Sequence, residues 1–326
     1  VKTKEAVSKM NIVDRIVKDA KRNPKRIVFP ETDDERVIEG VRKISKEGVA
    51  FPVLIGNKKK LVSKINDKKA MKKITIIEPE FSNQYFISLI KEKLGKNASI
   101  YLNDKVYYGL YLMEIGEADA LISGAAHTTA HTVRAALKMI GMRRDVKRIS
   151  SYFIISKEEN NYLFADCAIN IMPNEKELAE IAFLTCKSAE QIGIMDKRIA
   201  FISFSTKGSA QHPSLERIRK AVTLARNKIK KAKVDGELQI DAAIVPEVAI
   251  RKCPDSPIKG KANILIFPDL QSGNIAYKMA ERFGRYEAIG PIIQGLNKPV
   301  NDLSRGCNAK DIFYVAAITS KQLNKE

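Results

Sequence analysis

Cysteine and histidine are scarce in this chain, and a long apolar run is missing altogether. The four cysteines, Cys167, Cys186, Cys253 and Cys307, form no CxxC pair, and with three histidines no zinc-ligand spacing appears. A disulfide scaffold is excluded, no metal is expected, and free thiols in a reduced compartment follow. No apolar stretch approaches the ~20 residues of a membrane span. The segment from Val1 to Ala20 alternates charged with apolar residues and has no signal-peptide core. The expectation is a cytoplasmic protein with no membrane partner. No repeat of 20–50 residues is visible. What remains is an ordinary soluble composition, 44% hydrophobic and 29% charged over 326 residues, enough for about two domains.

Acidic residues are also few. Lys plus Arg number 57 against 38 Asp plus Glu, for a net charge of +19. Such an excess suits nucleic acid, phosphate-bearing small molecules, or coding bias alone. Lys supplies 40 of the 57 and is spread along the chain. The densest cluster, Lys58 to Lys73, falls where a solvated helix is expected and lacks interleaved aromatics. Nucleic acid is therefore not an expected partner.

Apolar strands alternate with amphipathic helices. Strands are expected at Arg26–Pro30, Phe51–Ile55, Ile74–Ile77, Ala118–Ile122, Ser151–Ser156, Tyr162–Ala168, Arg198–Phe204, Ile264–Phe267 and Ala288–Ile293. Helices are expected over Asp33–Glu47, after Ser123-Gly124 to about Ile140, and at 174–192, 213–230 and 272–284. This alternation predicts two α/β domains with mostly parallel sheets. The basic stretch Arg143–Arg148 is the mid-chain boundary, and the Pro/Gly-rich segment Gly290–Gly306 is a second crossing. The domains are then 1–145 with about 300–326, and 146–299, with an active-site cleft between them.

Three segments carry chemistry. From Gln294 to Asn308 polar and charged residues, Asn297 and Lys298 among them, sit between Pro and Gly after an apolar strand. Ligands bind at such strand C-termini in α/β folds. Ser304-Arg305-Gly306 offers a hydroxyl, a planar guanidinium and a flexible backbone, which suits phosphate; a surface loop with a structural Arg is the alternative. Ser123-Gly124-Ala125-Ala126-His127-Thr128-Thr129 follows a strand and opens a helix, as an anion site would, with Arg134 further on. Ordinary capping by Thr128 or Thr129 is the competing account. Ser203 to Ser209, with Ser205, Thr206, Lys207, Gly208 and Ser209, repeats the pattern, or is only a polar loop. Asp311 falls in the first turn of the last helix, behind Asn308 as N-cap, and a capping role alone is open to it. His127 reads as structural. Cys167, inside an expected strand, reads as buried and inert, and Cys307 is not assigned to catalysis.

Lys298-Pro299-Val300-Asn301-Asp302-Leu303-Ser304-Arg305-Gly306 resembles the signature of the phosphate acetyltransferase family. Phe29-Pro30-Glu31, Ser123 to Thr129, Asp166 to Asn170, Ser203 to Ser209, Phe267-Pro268-Asp269 and Gly273-Asn274 resemble the family in the same order. The resemblance implies reversible acetyl transfer between coenzyme A and inorganic phosphate by direct thiolate attack in a ternary complex. It makes Asp311 the base, Arg305 the phosphate binder and Ser304 the hydrogen-bond partner of the transition state. Substrate binding falls to Ser123, Gly124, Thr128, Thr129, Arg134, Ser205, Thr206, Gly208, Ser209, Asn297 and Lys298. Coenzyme A enters as substrate, no cofactor is tightly bound, and the expected assembly is a homodimer. Two positions depart from the family pattern. Many members carry an Arg in the helix at Leu89–Lys93, where this chain has Lys91 and Lys93, and many carry an acidic residue at position 131, here His131. The alternatives are a phosphate butyryltransferase-like enzyme and a non-catalytic domain that binds acetyl-CoA. The complete Ser304, Arg305, Asp311 set argues against the second.

Overall fold

A computed structural model describes residues 11–323; the part of the N-terminal reading that concerns Val1 to Met10 lies outside them. Two compact units appear. One contains residues 13–143 and 296–323, and the other residues 144–295 together with Asn11 and Ile12. Asn11 groups with the second unit, where Ser156 Oγ donates to its Oδ1 at 3.0 Å.

The described strands are β1 (Lys25–Phe29), β2 (Ala50–Ile55), β3 (Thr75–Ile77), β4 (Ala120–Ser123), β5 (Ser150–Lys157), β6 (Asn160–Ala165), β7 (Arg198–Ile202), β8 (Lys233–Leu238), β9 (Ile264–Ile266), β10 (Glu287–Gln294) and β11 (Val300–Asp302). The first unit holds a five-stranded sheet in the order β11-β4-β1-β2-β3, parallel throughout. Parallel neighbours need crossover helices, and both faces are then covered. Ile27, Val28 and Phe29 of β1 are accordingly buried. The second unit holds a six-stranded sheet, β10-β5-β6-β9-β7-β8, in which only the β10–β5 and β5–β6 pairs are antiparallel.

The helix Glu35–Glu47 follows β1. Asp34 caps its start and Gly48, in the left-handed region at φ 74°, ends it. Its face of Val37, Ile38, Val41 and Ile44 is buried. The last helix, Ala309–Gln322, lies against it. A Cβ on Gly40 would come within 2.8 Å of Ile312 Cγ2, so only glycine permits this approach. That contact sets the position of the helix whose first turn carries Asp311.

Several elements differ from expectation. Lys233–Leu238 and Val300–Asp302 are strands that local patterning did not signal: the first carries alternating charge and a glycine, the second is three residues long beside Pro299. The helix Lys105–Glu114 is buried from Val106 to Met113, so it has no polar face to reveal its period. Strand β6 stops at Ala165, which leaves Cys167 in the bend beyond it rather than inside a strand; it is still fully buried. Among the described residues no helix is long and apolar enough to cross a membrane.

Candidate active site

The signature segment leaves β11 and reaches the last helix within a few residues. Ser304 and Arg305 are exposed. A turn follows: Cys307 N donates to Ser304 O at 2.9 Å, and Gly306 N donates to Ser304 Oγ at 3.2 Å. The Ser304 hydroxyl thus accepts one bond and keeps its hydrogen for another partner. Asn308 caps the helix, its Oδ1 accepting from Lys310 N and Asp311 N, while Asp311 Oδ2 accepts from Asn308 N at 2.9 Å. This reciprocal capping box fixes the Asp311 carboxylate at a helix N-terminus.

Arg36 locks the segment in place. Its Nη1 donates to the carbonyls of Arg305 (2.7 Å) and Cys307 (3.0 Å), and its Nη2 donates to the carbonyl of Ala125 (2.9 Å). Asp34 pairs with the same guanidinium at 2.7 Å. One side chain therefore ties the signature loop to the loop after β4. Sequence reading missed Arg36; the only local trace was its place just past Phe29-Pro30-Glu31.

The loop after β4 is closed by the protein itself. Glu31 accepts from the backbone N–H of Ala125, Ala126 and His127 at 2.8–3.0 Å, and its Oε1 lies 2.7 Å from His127 Nδ1. Burial alone would raise the Glu31 carboxyl; the His127 ring and these amides bring it below its ordinary value. The anion that these amides hold is a side chain of the same chain. Thr128 caps the helix Thr129–Met139, accepting from His131 N. Thr129 Oγ1 donates to Asp302 Oδ2 at 2.5 Å. Gly124, at φ 108°, is pressed against β11: a Cβ there would stand 2.3 Å from Asp302 Oδ1. Ser123 is fully buried at the end of β4, and Arg134 is exposed.

Asp302 is a second buried acid of this neighbourhood. Burial, with Glu31 nearby, pushes its carboxyl up to about 7 against the opposing bond from Thr129. Cys307 is also buried, which raises its thiol to about 11. Asn297 Nδ2 donates to Ile140 O (3.1 Å) and Lys298 Nζ to Met113 O (2.7 Å), so both fasten the entry to β11. Lys93 Nζ is spent on Met139 O at 2.9 Å, whereas Lys91 is exposed.

The residues Ser205, Thr206, Gly208 and Ser209 belong to the second unit and gather on Glu237. Ser205 Oγ donates to Glu237 Oε1 at 3.0 Å and Gly208 N to the same oxygen at 2.8 Å. Ser209 Oγ accepts from Thr206 N. Burial would raise Glu237, but Arg219 Nη2 at 3.0 Å and these donors hold it at about 2. A cavity of about 460 Å³ beside this loop is lined by Ser203, Phe204, Arg217, Asp269 and Ser272, among others.

Residues 11–320 match the family described as "Phosphate acetyl/butaryl transferase". The phosphate acetyltransferase of Bacillus subtilis (strain 168) is 46% identical over 305 residues, 91% of this chain and 94% of that protein. Among solved structures, the EutD phosphotransacetylase from Staphylococcus aureus is 40% identical with a TM-score of 0.85, covering 96% of this chain and 99% of that one. A phosphotransacetylase from Streptococcus pyogenes is 43% identical with a TM-score of 0.84, covering 95% and 96%. The signature loop, its Arg36 clamp and its helix-borne carboxylate thus sit in a chain that belongs to the phosphate acetyl/butyryl transferase family.

Proposed function

We infer that the chain is a phosphate acetyltransferase, moving an acetyl group reversibly between coenzyme A and inorganic phosphate by direct thiolate attack in a ternary complex. The observation that carries this reading is the exposed Ser304-Arg305 pair, pinned through its backbone by Arg36 and followed at once by the helix-borne carboxylate of Asp311. With Asp311 Oδ2 engaged in the capping box, Oδ1 is the oxygen assigned to take the thiol proton. The sulfur attacks the acetyl carbonyl, the bond to the phosphate oxygen breaks, and phosphate leaves. Ser304 donates its hydroxyl hydrogen to the developing oxyanion, and the Arg305 guanidinium holds the phosphate oxygens.

A carboxylate is intrinsically a much weaker base than a thiolate, so complete proton transfer from the thiol is uphill. Proton transfer is therefore coupled to attack, and the helix N-terminus beside Asp311 favours the thiolate that forms. A covalent route through cysteine is disfavoured: a Cys307 thiol at about 11 stays protonated at neutral pH, and burial pushes the Cys167 thiol well above its ordinary value. The substrate-binding roles of Ser123, Gly124, Thr128, Thr129, Arg134, Ser205, Thr206, Gly208, Ser209, Asn297 and Lys298 are part of the same proposal. So are a homodimeric assembly in the cytoplasm and coenzyme A as a substrate without a tightly bound cofactor.

The deciding experiment is Asp311→Asn. An amide oxygen still accepts from Asn308 N, so the helix and coenzyme A affinity survive. Turnover at pH 7 collapses and partly recovers as pH approaches the thiol's own pKa. A folded Asp311→Asn protein with full turnover at neutral pH would falsify the assignment.

A further inference from the structure

The first unit holds a group of imidazole and carboxylate side chains that the transfer reaction does not use. Asp104, His127 and His131 each present one ligating atom, and the three atoms lie within 4.8 Å of one another. Asp104 caps the helix Lys105–Glu114, its Oδ1 accepting from Val106 N at 2.8 Å, which leaves Oδ2 for other work. That oxygen is 3.0 Å from His131 Nε2. The nitrogen is nevertheless buried without a bond of hydrogen-bonding geometry. The two imidazoles stack at 4.9 Å between centroids and 20° between planes.

One further observation points to a cation. The Nδ1 of His127 is held by the buried Glu31 carboxylate, which leaves Nε2 for a ligand. A carboxylate on the far nitrogen is what orients a metal-ligating histidine and raises its basicity. The adjoining cavity of about 450 Å³ is lined by Glu31, Asp33, Asp34 and Asp104, with Lys105 drawn off to Asp33 at 2.9 Å. Asp33 is paired with Lys60 and Lys105, Asp34 with Arg36 and Glu31 with His127, so the cavity gives an ion and its water access to the cluster rather than a field of its own.

We propose that Asp104, His127 and His131 form a binding site for a divalent transition ion of the zinc class. Two imidazoles and one carboxylate are the donor set such ions take, whereas magnesium and calcium prefer oxygen alone. Bonds of about 2.0–2.2 Å in a tetrahedron separate ligand atoms by roughly 3.3–3.6 Å, so Asp104 Oδ2 and His131 Nε2, now 3.0 Å apart, open slightly and His127 adjusts by side-chain rotation, with water at a fourth position. A bound ion ties the start of the helix Lys105–Glu114 to the start of the helix Thr129–Met139.

The test uses the full chain, stripped with chelator and titrated with Zn²⁺ and, separately, Co²⁺. One ion per chain is expected, with a rise in melting temperature on adding Zn²⁺. His131→Ala and Asp104→Asn should each weaken binding by roughly tenfold or more and abolish the thermal shift. Asn at 104 still caps its helix, so a loss there is not a loss of fold. The Co²⁺ complex should show visible bands without a thiolate charge-transfer band, which separates this site from the four cysteines. Equal affinity in wild type and both variants, a thiolate band, or no bound ion at stoichiometric Zn²⁺ overturns the proposal.

Discussion

Arg305 bears the largest expected consequence of any single side chain. In the proposed mechanism its guanidinium spans phosphate oxygens as charge develops on the leaving group, so Arg305→Ala should cost roughly 3 kcal/mol, over a hundredfold in rate. Arg305→Lys should restore only part, because an ammonium lacks the planar fork. Initial rates with acetyl phosphate measure both, and near-normal turnover of the alanine variant would remove the role. Asp302 makes a different prediction. Its folded pKa of about 7 exceeds the ordinary value of about 3.9. Below that ordinary value both folded and unfolded chains bind the proton, and the contribution to stability is whole. As pH rises toward 7 the unfolded chain ionises first, and the contribution is lost. Between pH 5 and 8 the wild type should therefore lose stability relative to Asp302→Asn, by on the order of 2–3 kcal/mol. Urea unfolding of both proteins at the two pH values reads it. Parallel stability curves would mean that Asp302 ionises normally.

Among elements, the contact between the helices Glu35–Glu47 and Ala309–Gln322 has the tightest tolerance. Gly40→Ala forces Ile312 to yield, since both its Cβ and Cγ2 stand under 3 Å from the new methyl. Overpacking of this kind costs about 1–3 kcal/mol. The shift moves the first turn of the last helix, so turnover should fall with stability although Gly40 touches no substrate. Denaturation midpoints and kcat together check this; an unaltered midpoint would mean that the helices separate freely. The strands that local pattern revealed were those with consecutive β-branched or aromatic residues, such as Lys25–Phe29 and Ser150–Lys157. Lys233–Leu238 was silent because its strand character comes from pairing with β7, a partner distant in sequence.

At the scale of the whole molecule, the charge of +19 should show in the handling of coenzyme A. Its phosphates are drawn to a basic protein, and screening sets in beyond about 8 Å at physiological salt. Apparent affinity for coenzyme A should fall as inert salt rises, with turnover less affected. An affinity independent of salt would assign the excess Lys to surfaces remote from the site.

By itself the sequence determined the α/β alternation and the family resemblance, and it made Ser304, Arg305 and Asp311 the candidates for the transfer step, because local period and a contiguous signature carry that information. It could suggest an anion site after β4 from small residues at a helix start. Only the tertiary structure decided that Glu31, 94 residues away, fills those amides, and that Arg36 reaches 269 residues to the carbonyl of Arg305. The same holds for Asp104 meeting His131 of another helix and His127 of the loop before it. These pairings leave no periodic trace in the chain. Each exists because sheet order and helix packing place donors and acceptors side by side, and burial then makes an unpaired polar group too costly to leave.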